Sequence, residues 1–306
     1  MKKYIIHRIV VSVFALWLVS TASFFLLRLL PGSPFVTTEL LSVEMQNRMA
    51  AYYGLDKPWL EQYLTYMGNL LQGDLGYSYQ YAGRSVNDII GNALPISMQL
   101  GVQALLVGFP LGILLGAVSA HRSGKPVDHA VVLFSALGAS IPLFITGALI
   151  QFVFAVKLDW FPTARWKGFS SSILPSLTLA LSVAFSKARA MRTMVMEIRS
   201  EDYIHAARAR GIPESAIVYW HEIRNALIPV LSTMGVEIAS LLMGSFVVEH
   251  IYAIPGIGSY YSNAVTSLDY PVVLGLTIFY TFFVVLFNLI VDMIYGLIDP
   301  RIRISS

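Results

Sequence analysis

Cysteine is absent from all 306 residues, which excludes disulfides, thiolate metal sites and cysteine nucleophiles. Charge is scarce as well. Asp, Glu, Lys and Arg together make up 13% of the chain, where an ordinary soluble domain carries about a quarter. No G-x-x-x-x-G-K-[ST] loop occurs, so if ATP drives this protein, another chain must bind it. There is no H-E-x-x-H pair and no G-x-S-x-G elbow, and the 6 histidines sit in loops and at the ends of apolar runs. Those absences argue against a zinc protease, a serine hydrolase and an ATPase, and the chain reads as no enzyme. Internal repeats and long polar tails are missing too.

What the chain has in abundance is apolar residues, at 56%. Several runs reach the roughly 20 residues that cross a bilayer, which predicts an all-α, polytopic membrane protein. The first run, about Ile9 to Leu30, follows Lys2, Lys3 and Arg8; it is too long for a signal-peptide core and lacks an A-x-A-like cleavage site, so it is read as a retained span. Five more spans are expected at about Ile96–Ala120, His129–Val156, Ile173–Ser186, Leu227–Val248 and Val272–Leu297. The fourth continues as a basic helix to Arg199. Gly108, Gly112 and Gly116 repeat every four residues and should let another helix approach closely. Pro110 and Pro142 predict kinks. Three segments result: residues 1–30 as the first helix, 31–95 as an extramembrane cap, and 96–306 as the core. The cap should contain helices at Leu40–Tyr53 and Pro58–Leu71.

Six spans place both termini on one side. The 21 lysines and arginines divide 14 to 7 in favour of that side, so the positive-inside rule makes it cytoplasmic. The loop between the fourth and fifth spans, residues 200–229, then faces the cytoplasm. It punctuates itself. Ser200 or Asp202 can cap a short helix over Tyr203–Arg210, Gly211 suits a left-handed C′ position, and Pro213 suits the start of a new helix. Ile217, Trp220, Ile223 and Leu227 recur at helical spacing, predicting one apolar face that needs a partner. A basic helix–turn–helix can bind DNA, but this elbow is tethered to membrane spans at both ends and diluted by Glu214 and Glu222, so no nucleic acid is expected.

Within the spans, Glu237 costs most, because an ionisable group at membrane depth is expensive. With Thr233, Ser240 and Gly244 it forms a stripe on the fifth span, and Asn288, Asp292 and Tyr295 form another on the sixth. The first stripe can line a pathway or pack against a neighbouring helix. Asp292 reads better as an anchor near Arg301.

The series Ala206-Ala207-Arg208-Ala209-Arg210-Gly211, then His221 and Arg224-Asn225-Ala226-Leu227-Ile228-Pro229, resembles the "EAA" loop of binding-protein-dependent ABC importer permeases, in the version of the peptide importers. His205 stands where the motif usually has Glu. Leu30-Pro31-Gly32-Ser33-Pro34, Gly73-Asp74-Leu75-Gly76 with Ser78, Pro255-Gly256-Ile257-Gly258, Asp269-Tyr270-Pro271 and Asp299-Pro300-Arg301 extend the likeness along the chain. The long cap is similar to that of the first of the two permeases in oligopeptide and dipeptide importers. The resemblance implies a six-helix type I importer fold and a second, homologous permease. It also implies two nucleotide-binding subunits that carry ATP and Mg, and an extracytoplasmic solute-binding protein; this chain itself would bind no cofactor or metal. Coupling to the ATPases would fall on Ala206, Ala207, Arg208, Arg210, Gly211, Ile217, Trp220 and His221. Thr233, Glu237, Ser240, Gly244 and Asn288, from the two stripes, are the candidate pathway residues. Importers of nickel chelates, opines or glutathione share these motifs, and a proton-coupled carrier using Glu237 is the reading from another class.

Overall fold

The computed structural model describes residues 2–29, 51, 54 and 57–298. Among these every regular element is a helix, with one isolated antiparallel bridge between Tyr77 and Ser85. In chain order they are α1 (Lys2–Leu29), α2 (Trp59–Leu71), α3 (Val86–His121), α4 (Pro126–Ser140) and α5 (Leu143–Gln151), which continues as a π-helical Phe152–Lys157. Then come α6 (Phe169–Arg199), α7 (Asp202–Ala209), α8 (Glu214–Ala216), a π-helical Ile217–Ile223, α9 (Arg224–Ser232), α10 (Met234–Leu242), α11 (Phe246–Ile251), α12 (Ile257–Thr266) and α13 (Tyr270–Ile298). The expected helix at Leu40–Tyr53 and the motifs at 30–34 and 299–303 lie outside the described residues, as do the side chains of Asp292 and Tyr295.

Five stretches are long and apolar enough to cross a membrane: Ile6–Leu29, Val86–His121, Phe169–Arg199, Met234–Ile251 and Tyr270–Val291. The third expected span is not a kinked rod. Its halves, Pro126–Ser140 and Leu143–Lys157, meet at 103°, and together they count as a sixth span. Pro142 has no N–H to continue the ladder, and it pushes the residue before it out of the helical region. Ile141 accordingly sits at φ −79°, ψ 121°, an extended conformation that turns the chain instead of bending it.

The pair α3–α6 makes the most extensive helix contact in the molecule. The glycine stripe is why. A Cβ on Gly112 would stand 2.7 Å from both the Ala184 carbonyl oxygen and Lys187 Cβ, and one on Gly116 would meet the Ala188 carbonyl oxygen at 2.5 Å. Gly108 abuts the Ala180 carbonyl in the same way. Between helices surrounded by lipid, such close van der Waals packing does the work that water would otherwise drive.

Helix α3 begins ten residues before the span expected at Ile96, because Ser85 and Asp88 form a capping box there. The Ser85 hydroxyl accepts from the Asp88 N–H at 3.0 Å, and the Asp88 carboxylate accepts from the Ser85 N–H at 3.4 Å. A cap of this kind is worth about 1 kcal/mol, and it carries the helix through what reads in sequence as cap.

Two buried carboxylates hold the opposite end of the spans from the elbow. Asp269 accepts from the backbone N–H groups of Tyr79 and Gln80, each at 3.1 Å, and from the Ser78 hydroxyl, tying the cap to the start of α13. Glu249 accepts from Ser97 Oγ at 2.7 Å and from the Ser259 N–H at 2.9 Å, joining α3, α11 and the first turn of α12. Buried carboxylates of this kind stay only where donors replace the lost water.

Candidate functional site: a stapled elbow and an intramembrane ion pair

The elbow is built as the punctuation predicts at its centre. Gly211 closes α7 at φ +75°, with nothing within 4 Å of where a Cβ would stand. Its N–H donates to the Arg208 carbonyl at 3.0 Å, and the Ile212 N–H donates to the Ala207 carbonyl at 3.3 Å, so the last turn of α7 is satisfied internally. Pro213, at φ −56°, stands one residue before α8.

The second limb differs from expectation. Residues 217–223 form a π turn, whose i→i+5 bonding widens the spiral and turns fewer degrees per residue, so residues three apart diverge in direction more than in α geometry. Ile217 and Trp220 therefore part company. Ile217 is fully buried, packed with Ile204 and Ala207 and against Ile198 and Ile212. Trp220 is 66% exposed. The single apolar face expected across Ile217, Trp220 and Ile223 does not exist: its first member is the elbow's own core, and Ile223 packs against the α3–α6–α9 cluster. What remains outward is Tyr203, Tyr219 and Trp220, with Ala206, Arg210 and His205 also exposed. His221 is half-buried.

An ionic staple under this surface sets its rigidity. Glu222 is wholly buried and takes a forked pair of bonds from Arg199, Nε to Oε1 at 3.0 Å and Nη2 to Oε2 at 2.7 Å. Arg199 ends α6 and also donates to the Ala120 carbonyl near the end of α3 at 2.9 Å. From the other side Arg208 of α7 reaches Glu222 at 3.3 Å and forks onto Glu214 at 2.9 and 3.2 Å. Arg208 thus faces inward, as a strut of the elbow. Its hydrogen bonds hold the Glu214 carboxyl below its ordinary value of 4.5. Asn225 Nδ2 donates to the Tyr203 hydroxyl at 3.1 Å and closes α7 onto α9. Fork-shaped guanidinium–carboxylate pairs fix orientation as well as distance. The two ends of the elbow are consequently locked to the spans α3 and α6.

In the spans, Glu237 has a partner that the sequence stripe did not reveal. Its carboxylate pairs with the ammonium of Lys187, a buried residue of α6, and Lys187 Nζ also donates to Thr233 Oγ1 at 3.0 Å. Lys187 is therefore not an outward charge of the basic helix but a buried one, neutralised by the acid at the start of α10. Thr233 and Ser240 are exposed and Glu237 is 22% exposed, so these three share a polar surface that the chain itself leaves uncovered. The other two stripe residues do not join them. Gly244 lies beyond the end of α10 at φ +85°, where the chain breaks, and a Cβ there would collide with the Glu249 carboxylate. Asn288 of α13 packs on the opposite side of α10, its Oδ1 2.6 Å from where a Cβ of Gly235 would stand. Among the described residues no cluster of His, Asp and Glu has metal-binding geometry.

Comparison with known proteins agrees with this architecture. Residues 108–304 match the family described as "Binding-protein-dependent transport system inner membrane component", and residues 1–101 match its N-terminal companion. The dipeptide transport system permease protein DppB of Bacillus subtilis is 37% identical over all of this chain and 99% of its own length. The oligopeptide transport system permease protein OppB of Salmonella typhimurium is 38% identical, over 99% of this chain and 100% of its own. A crystal structure of "an amino acid ABC transporter with histidines" shares the fold at a TM-score of 0.51 and 17% identity, over 70% of this chain and 94% of that one. With a family match across almost its full length, this chain belongs to the inner-membrane components of binding-protein-dependent transport systems.

Proposed function

We propose that the chain is one of two permeases in a peptide importer driven by separate ATP-hydrolysing subunits, with the elbow as the docking element. One observation carries this reading: the elbow is fastened from inside by Glu222 and left bare outside at Tyr203, Tyr219 and Trp220. A rigid element with exposed aromatics fits a partner's groove, since such side chains supply most of the energy at interfaces. Rigidity also has a mechanical use. When ATP binding and hydrolysis bring the partner subunits together and apart, a stiff elbow locked to α3 and α6 passes that rigid-body motion into the spans, giving alternating access. The basic loops put the elbow and both termini in the cytoplasm. The cap and the 249–271 loop would then meet a solute-binding protein on the outer face.

The polar surface of Thr233, Glu237 and Ser240 is the proposed pathway wall. Lipid is a poor neighbour for it, so it faces a second permease or water. The peptide assignment rests on the relatives' names, DppB and OppB. Its test is uptake of a labelled dipeptide and a labelled pentapeptide into vesicles carrying the complete complex, with and without ATP. ATP-dependent uptake of either supports the reading; uptake without the ATPase subunits contradicts it. In the same vesicles Glu237→Gln should cut uptake at least several-fold while the complex still assembles, because Lys187 is left charged and unpaired in the spans.

A further inference from the structure

The bend at Pro142 leaves α4 and α6 in contact, yet between them lies a cavity of about 540 Å³, lined among others by Val132, Ser135, Ala136, Ser140, Arg189 and Arg192. That is the size of a small-molecule site. Its two guanidinium groups are used differently. Arg192 spends its fork on Asp128, at 2.7 and 3.0 Å. Arg189 donates to the Ser135 carbonyl at 2.8 Å, and no carboxylate among the described residues pairs with it. A guanidinium has five N–H donors, so Arg189 keeps most of its hydrogen-bonding capacity and all of its charge. The wall beside it carries bare apolar side chains: Val132 is 43% exposed, and Ala136 and Ala139 on the same helix are exposed as well.

We propose that this cavity holds the headgroup of an anionic phospholipid, its phosphate on Arg189 and its acyl chains along the exposed apolar side of α4. A positive charge without a counter-ion calls for an anion. The apolar wall makes that anion a lipid, because a free phosphate would have no use for it. On the orientation proposed above, Arg189 lies in the basic stretch that ends α6, ten residues before its last residue Arg199, and so on the side of the leaflet richest in anionic lipid, where basic pockets between helices recognise such headgroups. The ligand would wedge α4 against α6, the helix whose end is stapled to the elbow, and so would sit on the path by which the elbow moves the spans.

Native mass spectrometry of the intact complex, released from mixed micelles holding equal phosphatidylglycerol and phosphatidylcholine, tests this. Wild type should retain phosphatidylglycerol with about fivefold preference, the ratio that corresponds to about 1 kcal/mol of attraction per basic residue near the surface. Arg189→Gln should abolish the preference and Arg189→Lys should keep part of it. Ala136→Trp, which fills the cavity and leaves Arg189 intact, should expel the lipid. Equal retention of both lipids by wild type overturns the proposal. So does undiminished preference in Ala136→Trp, and so does displacement of phosphatidylglycerol by millimolar inorganic phosphate, which would mark a free-anion site. The wild-type measurement and the phosphate competition decide the matter even if a variant fails to assemble.

Discussion

Replacing Glu222 by Gln should loosen the elbow without unfolding the spans, and the structure sets the size of the effect. Glu222 receives three guanidinium hydrogen bonds, at 3.0, 2.7 and 3.3 Å, and has no exposure to water. Hydrogen bonds to charged groups are worth about 1.5–3 kcal/mol each, and breaking a fully buried pair costs about 3–5. Two features reduce that here. Glutamine keeps one acceptor oxygen, and the arginines are 22% and 33% exposed, so water can take over part of their solvation. The net loss should be about 2 kcal/mol, or roughly a thirtyfold shift in the local opening equilibrium. Hydrogen exchange reads this directly: amides of residues 204–212 should exchange roughly thirtyfold faster, while those of α3 and α6 near Gly112 are unchanged. Exchange at 204–212 that stays within twofold of wild type would refute the idea that the ionic staple holds the elbow. A uniform acceleration across α3 and α6 would refute the idea that its effect is local.

Other outcomes follow from single contacts. Gly211→Val forces a β-branched residue to φ +75° in open space, so the cost is backbone strain alone, about 1–2 kcal/mol or more; membrane insertion should be normal, elbow exchange should quicken, and Gly211→Asn should be mild by comparison. Gly112→Leu must drive α3 off α6, because even a Cβ would stand 2.7 Å from the Ala184 carbonyl oxygen; the melting temperature in detergent should fall sharply, far more than for a leucine placed at Gly91 of the same helix, where space is open. Below pH 4.5 the Glu214 pair should fade. Its carboxyl is depressed when folded, so its contribution is complete above the ordinary value and is lost as pH falls through the depressed one. Glu214 is half exposed, so the effect should stay under about 1 kcal/mol; Glu214→Gln should remove that acid dependence of elbow exchange.

How far the sequence shows this molecule depends on whether the information is local. The glycine stripe on α3 was legible because small residues at four-residue spacing have one physical use in a lipid-surrounded helix. Gly211 was legible because a positive φ after a short helix wants glycine. The box of Ser85 and Asp88 was equally local and would have placed the start of α3 at Val86. Distant partnerships were not legible. Lys187 and Glu237 lie on different helices and meet only when α9 packs on α6 and brings the start of α10 beside it, so one resembled a cytoplasmic charge of the basic helix and the other an isolated acid. Glu222 looked like dilution of a basic helix, yet it is where Arg199 and Arg208 converge. The π turn has no composition signature, so spacing alone placed Ile217 and Trp220 together when the wider turn separates them. At Pro142 a break was foreseeable, but its angle of 103° also depends on how α4 and α5 each pack on α6, which no local signal gives.

The absence of cysteine makes the central claim directly accessible. A single cysteine at Tyr219, on the bare side of the elbow, can be labelled with a membrane-impermeant maleimide in inside-out vesicles, with labelling of the same preparation after denaturation in SDS as the control. If the elbow docks an ATP-hydrolysing partner, labelling at position 219 should be rapid in the permease pair alone and largely blocked when the nucleotide-binding subunits are co-expressed, while labelling after denaturation is the same in both. Equal labelling at position 219 in both preparations would contradict the account.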